Sequence, residues 1–227
     1  TGTSARFKYP EGITTDGTNL YVTDSDNHKI RKIVISTGVV TTLAGSGSSG
    51  STNATGTSAR FKYPHGITTD GTNLYVSDST NNLVRKIVIA TGVVTTLAGS
   101  TTSGSADGTG TAARFYTPKQ ITTDGTSLYV ADQNNHKIRK IVISTGVVTT
   151  LAGSGSSGSA DDTGTSASFN GPRGITIDGS NLYVADTANH KIRKISLIGN
   201  VNAGVALHNL DDEINVSVSL ASSDTGE

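Results

Sequence analysis

The sequence contains no cysteine and no methionine among its 227 residues. Without cysteine, the chain can form neither disulfides nor metal sites with thiolate ligands. Without methionine, Thr1 cannot be the initiator residue, and we therefore expect a processed mature protein or a piece of a longer one. The lack of methionine and the abundance of Thr, Ser, Asn and Gly favour a secreted or cell-surface protein.

An excess of charge and long apolar runs are also missing. Lys and Arg number 18 and are balanced by 18 Asp and Glu, so no net field draws the chain toward nucleic acid or a membrane. No apolar run approaches 18 residues, and the sequence therefore predicts no membrane-spanning helix. The only glutamates are Glu11, Glu213 and Glu227, and no Ser-His-Asp grouping can be assigned. We predict that the chain is not an enzyme and needs no cofactor.

A stretch of 18 residues that begins at Asp16 returns from Asp70, Asp124 and Asp178. A repeat near 50 residues is typical of propellers, solenoids and arrays. Within the first unit, turn residues separate runs rich in β-branched side chains. The predicted strands of that unit are Gly12–Asp16, Asn19–Asp24, Lys29–Ser36 and Val39–Ala44. Each unit is therefore predicted to be a four-stranded antiparallel meander.

Apolar residues lie on both faces of these predicted sheets. One such sheet cannot bury itself, whereas sheets stacked around an axis can, so we predict an all-β fold that forms a β-propeller. The predicted blades are residues 1–54, 55–108, 109–162 and 163–209, followed by an extension over 210–227. The low-complexity linkers between blades are predicted to be flexible and to loop over one face. One phenylalanine per unit is predicted to plug the space between adjacent blades (Phe7, Phe61, Phe115 and Phe169).

The fourth unit carries Pro172-x-Gly-Ile-x-x-Asp178, Leu182-Tyr-Val-Ala-Asp186 and Asn189-His-x-Ile-Arg-Lys-Ile195. This pattern resembles the NHL repeat, and all four units carry it. The resemblance implies a propeller blade, in a family whose members more often have six blades. Members bind proteins, RNA or small ligands on one face, and a few are lyases. Gln120 replaces the glycine of the third unit, Asn82 replaces the histidine of the second, and the four units leave ring closure open.

A binding face is predicted where the units differ most. The loop before the first strand and the turn between the second and third strands lie on the same side of a meander. Diversified loops on a rigid scaffold are where binding tends to occur, although drift in unconstrained loops would look the same. The predicted binding residues are Lys8, Tyr9, Glu11, Lys62, Tyr63, His65, Tyr116, Lys119 and Arg173.

Three other residue sets have both a chemical and a structural interpretation. The carboxylates of Asp16, Asp70, Asp124 and Asp178 could hold a cation near the axis, but we favour a role in their Asp-Gly turns and predict no metal. The three histidines His28, His136 and His190 are predicted to be turn residues that pack on their own blade. The basic residues of the Lys29-Ile-Arg-Lys32 element and its copies could bind phosphate, but ion pairs within each blade are the favoured interpretation.

The repeat breaks after Ile195. Alternating apolar residues from Val201 to Leu207 predict a replacement fourth strand. Ile214, Val216, Val218 and Leu220 predict a fifth strand that could pair with its own ring or with another copy.

The sequence thus predicts a non-enzymatic binding or assembly module outside the cell. Its expected partners are a protein or a second copy, with a glycan as a further class and nucleic acid disfavoured. The alternatives are a lyase or lactonase with a channel metal and an RNA-binding propeller.

Overall fold

The computed structural model describes residues 2–197 and 207–209, and its regular structure consists of strands and one-turn 3-10 helices. The first blade contains β1 (Pro10–Thr15), β2 (Asn19–Asp24), β3 (Lys29–Val34) and β4 (Val40–Ala44). The second contains β5 (Pro64–Thr69), β6 (Asn73–Asp78), β7 (Leu83–Val88) and β8 (Val94–Gly99). The third contains β9 (Gly108–Thr109), β10 (Pro118–Thr123), β11 (Ser127–Asp132), β12 (Lys137–Val142) and β13 (Val147–Ala152). The fourth contains β14 (Pro172–Ile177), β15 (Asn181–Asp186), β16 (Lys191–Ser196) and β17 (Leu207–Asn209).

Each sheet follows the chain as an antiparallel meander, from β1 to β4, β5 to β8, β10 to β13 and β14 to β17. In the first blade, Leu20 lies opposite Ile33, and Ile33 lies opposite Val40, so these apolar side chains line one face. Within residues 2–197 and 207–209 no helix replaces a strand, and the predicted all-β fold of four antiparallel blades in a propeller is confirmed. Among the described residues, no helix is long and apolar enough to cross a membrane.

Every blade has two apolar faces, which we call leading and trailing. The trailing face of the first blade contributes Tyr21, Ile30 and Ala44 to a buried cluster, and the leading face of the second blade contributes Phe61, Ile67 and others. Equivalent residues form the clusters between the second and third blades and between the third and fourth. Three of the four predicted inter-blade plugs are fully buried in these clusters, namely Phe61, Phe115 and Phe169. Phe7 is only half-buried, because no described blade precedes it, and the prediction is wrong for this residue.

The linkers are held by hydrogen bonds and do not form the loose loops that their composition predicts. In the second unit, Arg60 N donates to Thr52 O at 3.1 Å, and Val94 N donates to Ala54 O at 2.9 Å. In the third unit, the end of the linker forms β9, which pairs with the outer strand β13 of its own blade. Each of these two linkers therefore runs along the outer edge of the blade that follows it. Their backbone hydrogen bonds give these glycine- and serine-rich segments an ordered path.

The fourth blade acquires its fourth strand from a position different from that of the other blades. β17 pairs with β16, with Leu207 opposite Ile195, and takes the place of the missing repeat strand. The predicted replacement strand over residues 201–207 lies mostly outside the described residues. The predicted fifth strand, with Ile214, Val216, Val218 and Leu220, lies outside them entirely.

Candidate binding face

Two loops of each blade meet on one side of the propeller, and we call this surface the binding face. In the first blade, Ser25 N donates to Tyr9 O at 3.2 Å, and Asp26 N donates to Lys8 O at 3.1 Å. The same bond to the loop before the inner strand is made by Thr80 N to Lys62 O, Asn134 N to Tyr116 O and Ala188 N to Asn170 O. The loops that differ most between the units therefore form a shared surface.

A buried ion pair anchors these loops in every blade. The Asp78 carboxylate accepts the Lys62 N–H at 2.7 Å, Asn81 Nδ2 at 2.8 Å and Arg85 Nη1 at 2.8 Å. The Arg85 guanidinium also lies 5.1 Å from the centre of the Phe61 ring. Burial raises the pKa of the Asp78 carboxyl to about 6, although Arg85 opposes the shift. The equivalent pairs are Asp24–Arg31, Asp132–Arg139 and Asp186–Arg193.

These pairs decide what the basic repeat element can do. Each arginine of the Lys-Ile-Arg-Lys element is bound to a carboxylate of its own blade, so the ion pairing predicted from the sequence is confirmed for the arginines. A phosphate-binding rim built from these arginines would need their guanidinium groups at the surface. Arg85, Arg139 and Arg193 are instead fully buried.

The residue just before each inner strand has a left-handed backbone. The φ angle is 49° at Tyr9, 51° at Tyr63 and 50° at Thr117, and Gly171 has 61° at the same position of the fourth unit. This conformation costs a residue with a side chain about 1–2 kcal/mol. Such strain persists where neighbouring structure imposes it, and it concentrates at ligand clamps and switches. The rings of Tyr9 and Tyr63 at these positions are 70% and 45% exposed.

A cleft of about 420 Å³ lies where the first two blades meet on this face. Five of the predicted binding residues line it, namely Tyr9, Glu11, Tyr63, His65 and Lys119. The turns between the second and third strands complete the lining with Ser25, Asp26, Ser79 and Thr80. Ser25 and Ser79 were missed as binding residues, although the third and fourth units carry Gln133 and Thr187 at this position of the turn. Their position in the turn was the available signal.

Charged side chains meet in the cleft at the second position of the inner strands. Glu11 Oε2 lies 3.5 Å from His65 Nε2. Burial lowers the pKa of His65 to about 4, and the positive charges of Lys119 and Arg173 lower it further. Burial also lowers the pKa of Lys119, as does Arg173, while Glu11 opposes the shift. His65 is therefore neutral at pH 7 and can donate one hydrogen bond and accept another.

Four predicted binding residues do not line the cleft. Lys8 is exposed and lies 3.4 Å from Asp26 as an ion pair. Tyr116 is exposed in the loop before the inner strand of the third blade. The positive charge of Arg173 lowers the pKa of His65 in the cleft, and the backbone N–H of Lys62 donates to the Asp78 carboxylate.

Two of the turn histidines, His28 and His136, connect blades, so the prediction that they pack on their own blade is wrong for these two residues. His28 Nδ1 accepts the Tyr63 N–H at 3.3 Å, and His136 Nδ1 accepts the Gly171 N–H at 3.0 Å. Asn82 replaces histidine in the second unit and makes the same link, because its Oδ1 accepts the Thr117 N–H at 2.9 Å. All three residues have a left-handed backbone, with φ angles of 54° at His28, 58° at Asn82 and 53° at His136.

The aspartates at the end of the inner strands bind their own turns. Asp16 Oδ1 accepts the N–H groups of Thr18 at 2.8 Å and Asn19 at 2.6 Å, and Asp16 Oδ2 accepts the Tyr21 hydroxyl at 2.8 Å. Hydrogen bonds of this kind hold the pKa of Asp16 well below its usual range, against a raising effect of burial. Asp70, Asp124 and Asp178 have equivalent turn contacts. Within residues 2–197 and 207–209, no three His, Asp or Glu residues are grouped to hold a metal ion.

Comparison with known sequences agrees with this repeated blade. The sequence model of the NHL repeat matches residues 169–195, which lie in the fourth blade. Over 184 residues the chain is 35% identical to NHL repeat-containing protein 2 of Bos taurus, with 74% of this chain and 25% of that protein covered. The chain is an NHL-repeat β-propeller. It spans about a quarter of the length of this relative and of the human protein of the same name, which is 34% identical.

Solved structures share the propeller fold. A structural genomics protein of unknown function from Bacteroides thetaiotaomicron has a TM-score of 0.69 and 26% identity, with 88% of this chain and 47% of that chain covered. An auxiliary nutrient binding protein of the same organism has a TM-score of 0.65 and 22% identity, with 81% and 46% covered. Virginiamycin B lyase from Staphylococcus aureus has a TM-score of 0.58 and 17% identity, with 92% and 58% covered. Both binding proteins and enzymes therefore use this fold.

Proposed function

We propose that this NHL propeller is a non-enzymatic binding module outside the cell, and that it binds a protein partner through the binding face. The observation that carries this proposal is the left-handed backbone at Tyr9 and Tyr63, which holds two exposed aromatic rings at the cleft. The Tyr63 ring also packs edge-on against His28 of the first blade, whereas the Tyr9 ring is 70% exposed. Gly171 fills the same position of the fourth unit without the steric cost.

The chemistry of the cleft suits a peptide segment. Tyrosine rings supply apolar contact area and a hydroxyl group, and they lose little conformational entropy on binding. Glu11 and Lys119 present opposite charges, and the hydroxyls of Ser25 and Ser79 lie beside them. The volume falls within the range of small ligand sites, which corresponds to a few side chains of a partner. A glycan would use the same aromatic and hydroxyl groups and is the second class of ligand to test.

The alternative functions find less support on the described surface. A phosphate-binding rim of arginines is not available, since Arg85, Arg139 and Arg193 are buried in ion pairs. An enzyme of the lyase or lactonase kind with a channel metal is supported only by the propeller fold that the chain shares with such enzymes. Metal analysis of the protein before and after chelator treatment tests that alternative. A salt-dependent RNA titration tests the other.

The experiment for the binding face uses a displayed library of random peptides. Peptides selected on the wild-type protein are measured against a variant in which Tyr9, Tyr63 and Tyr116 are all replaced by Ala. A matched control replaces Thr18, Thr72 and Thr126 by Ala on the opposite face. We expect the tyrosine variant to lose at least tenfold in affinity and the control to bind normally. Equal binding by all three proteins would rule out this face.

A glycan array probed with the same three proteins tests the second ligand class. Assembly through the predicted strand Ile214–Leu220 is a separate proposal, and it is tested by deleting residues 211–227.

A further inference from the structure

The first blade has an uncovered leading face. The side chain of Ile13 is 59% exposed, whereas its counterparts Ile67 and Ile121 are 2% and 1% exposed in the following blades. The rest of this face is half-buried, although the equivalent residues of the second blade are fully buried. These half-buried residues are Ala5, Phe7, Leu20, Ile33 and Val40.

The fourth blade has an uncovered trailing face. Ile192 is 45% exposed, whereas its counterparts Ile30 and Ile138 are fully buried between blades. Tyr183 and Ala185 on the same face are only half-buried. His190 is exposed, although the equivalent side chains of the other blades accept a hydrogen bond from the blade that follows.

The inner strands show the same open end. β1 packs on β5, β5 on β10 and β10 on β14, whereas β14 and β1 make no contact of similar extent among the described residues. A Cβ on Gly66 would lie 2.5 Å from Lys119 O of the next blade, because the strands approach closely. A Cβ on Gly174, the equivalent glycine of the fourth blade, would meet only Ala185 Cβ of its own blade, at 3.2 Å. No described residue of another blade therefore fills the space beside β14.

We propose that a second copy of this chain fills this space, with its first blade packed against the fourth blade of the first copy. The two uncovered faces carry the same kinds of residue as the three junctions within the chain. Tyr183 and Ile192 correspond to Tyr21 and Ile30, which pack against Ile67. Ile13 is the counterpart of Ile67. The junction between copies thus repeats a junction that the chain already forms three times.

Polar groups complement each other across the same junction. His190 is placed to accept the Tyr9 N–H of the second copy, as His28 accepts the Tyr63 N–H. Arg173 and Glu11 hold the second position of the inner strands β14 and β1. They would meet as Glu11 and His65 meet between the first two blades, but with opposite formal charges. At the junction of the third and fourth blades, the residues at this position are Lys119 and Arg173, which both carry positive charge and do not attract each other.

Two copies joined in this way at both ends form a closed ring of eight blades. Propellers typically have four to eight blades, so two copies reach the upper limit of that range, and three copies would exceed it. Contacts of this head-to-tail kind stop growing when the rotation closes a ring. The junction shares Tyr9 and Glu11 with the cleft, but its test measures mass in solution without any ligand, so its failure is distinguishable from failure of the proposed function.

The test measures mass in solution for the full chain and for two single variants, Ile13→Asp and Ile192→Asp. Both side chains are exposed in a single copy, so each variant should fold. We expect the wild type at twice the chain mass of 23.2 kDa and each variant at the mass of a single chain. Each variant alters one of the two faces. In a 1:1 mixture, the unaltered fourth blade of Ile13→Asp can still pack against the unaltered first blade of Ile192→Asp. The mixture should regain the double mass.

A matched control is Val93→Asp, because Val93 is an exposed apolar residue away from both ends. This control should remain at the double mass. Deletion of residues 211–227 should also leave the double mass unchanged, which separates this contact from pairing through the predicted C-terminal strand. A monomeric wild type would overturn the proposal. So would variants that stay associated, a mixture that fails to associate, or loss of association on that deletion alone.

Discussion

Arg85 Nη1 lies 2.8 Å from Asp78 Oδ2, and both side chains are fully buried. This pair joins the third strand of the blade to the turn that supports the binding face, because Asp78 also accepts the Lys62 N–H. Asn81 and the Phe61 ring complete the surroundings of the two charges. The geometry of the face therefore depends on charges that no solvent reaches.

Replacing Arg85 by Leu should destabilise the protein strongly. The Asp78 carboxylate would remain buried without its counter-charge, and breaking a buried pair costs about 3–5 kcal/mol. Arg31→Leu is the matched control, because the Arg31 side chain is 14% exposed at the open end and water can reach its surroundings. The free energy of unfolding in urea should fall less for Arg31→Leu than for Arg85→Leu. Equal losses would show that burial does not govern the strength of these pairs.

Replacing Tyr9 by Gly should stabilise the fold while weakening ligand binding. Glycine removes the strain of the left-handed backbone, but it loses more conformational entropy on folding. The balance is a gain in folding stability of about 0.5–1 kcal/mol. Gly171→Ala is the reciprocal change, and its Cβ meets only Ala188 Cβ at 3.8 Å. It should cost about 1 kcal/mol through the backbone alone. Urea unfolding gives both values, and a destabilising Tyr9→Gly would show that the ring contributes more to folding than the strain costs.

His65 should make stability depend on pH between about 6.5 and 4. Its pKa is lowered from 6.5 to about 4 in the folded protein, so the unfolded chain binds a proton in this range and the folded chain does not. The contribution is fully present above pH 6.5 and is lost as the pH falls toward 4, by up to about 3 kcal/mol. We expect His65→Asn to remove this part of the acid sensitivity.

The measurement is the free energy of unfolding of the wild type and of His65→Asn at several pH values. Titrating groups common to both proteins, such as Asp78, largely cancel in the difference. A difference that stays constant from pH 7 to pH 4 would contradict the assigned shift.

Replacing Gly66 by Ala should disturb the packing of adjacent blades. Its Cβ would lie 2.5 Å from Lys119 O and 2.7 Å from the Cα of Gln120, both of them backbone atoms. Overpacking of this kind typically costs about 1–3 kcal/mol. Gly174→Ala is the matched control at the open end, and it should change the melting temperature of dilute protein much less. Similar losses for the two variants would indicate that the space beside β14 is filled.

Much of the fold could be read from the repeat. Asp-Gly turns and runs of β-branched residues placed the strands to within a few residues, because turn chemistry and the period of two are local properties. The buried arginine pairs were also predictable in outline, since an aspartate and an arginine recur in every unit. Tyr9, Glu11, Tyr63, His65 and Lys119 were assigned to one face from sequence differences, and the cleft contains all five.

Other features depend on which blade lies beside which. His28 and His136 bind the following blade, and nothing in their own units encodes that contact. The linkers look flexible by composition but are ordered by hydrogen bonds to neighbouring segments. The clearest case is Ile13 and Ile67, which have the same residue type at the same repeat position but differ from 59% to 2% in exposure. Strands and turns follow from local chemistry, so the blade could be predicted from the residues of one unit. Which copies of a residue are buried depends on the neighbour that covers each face, and that became visible only in the assembled propeller.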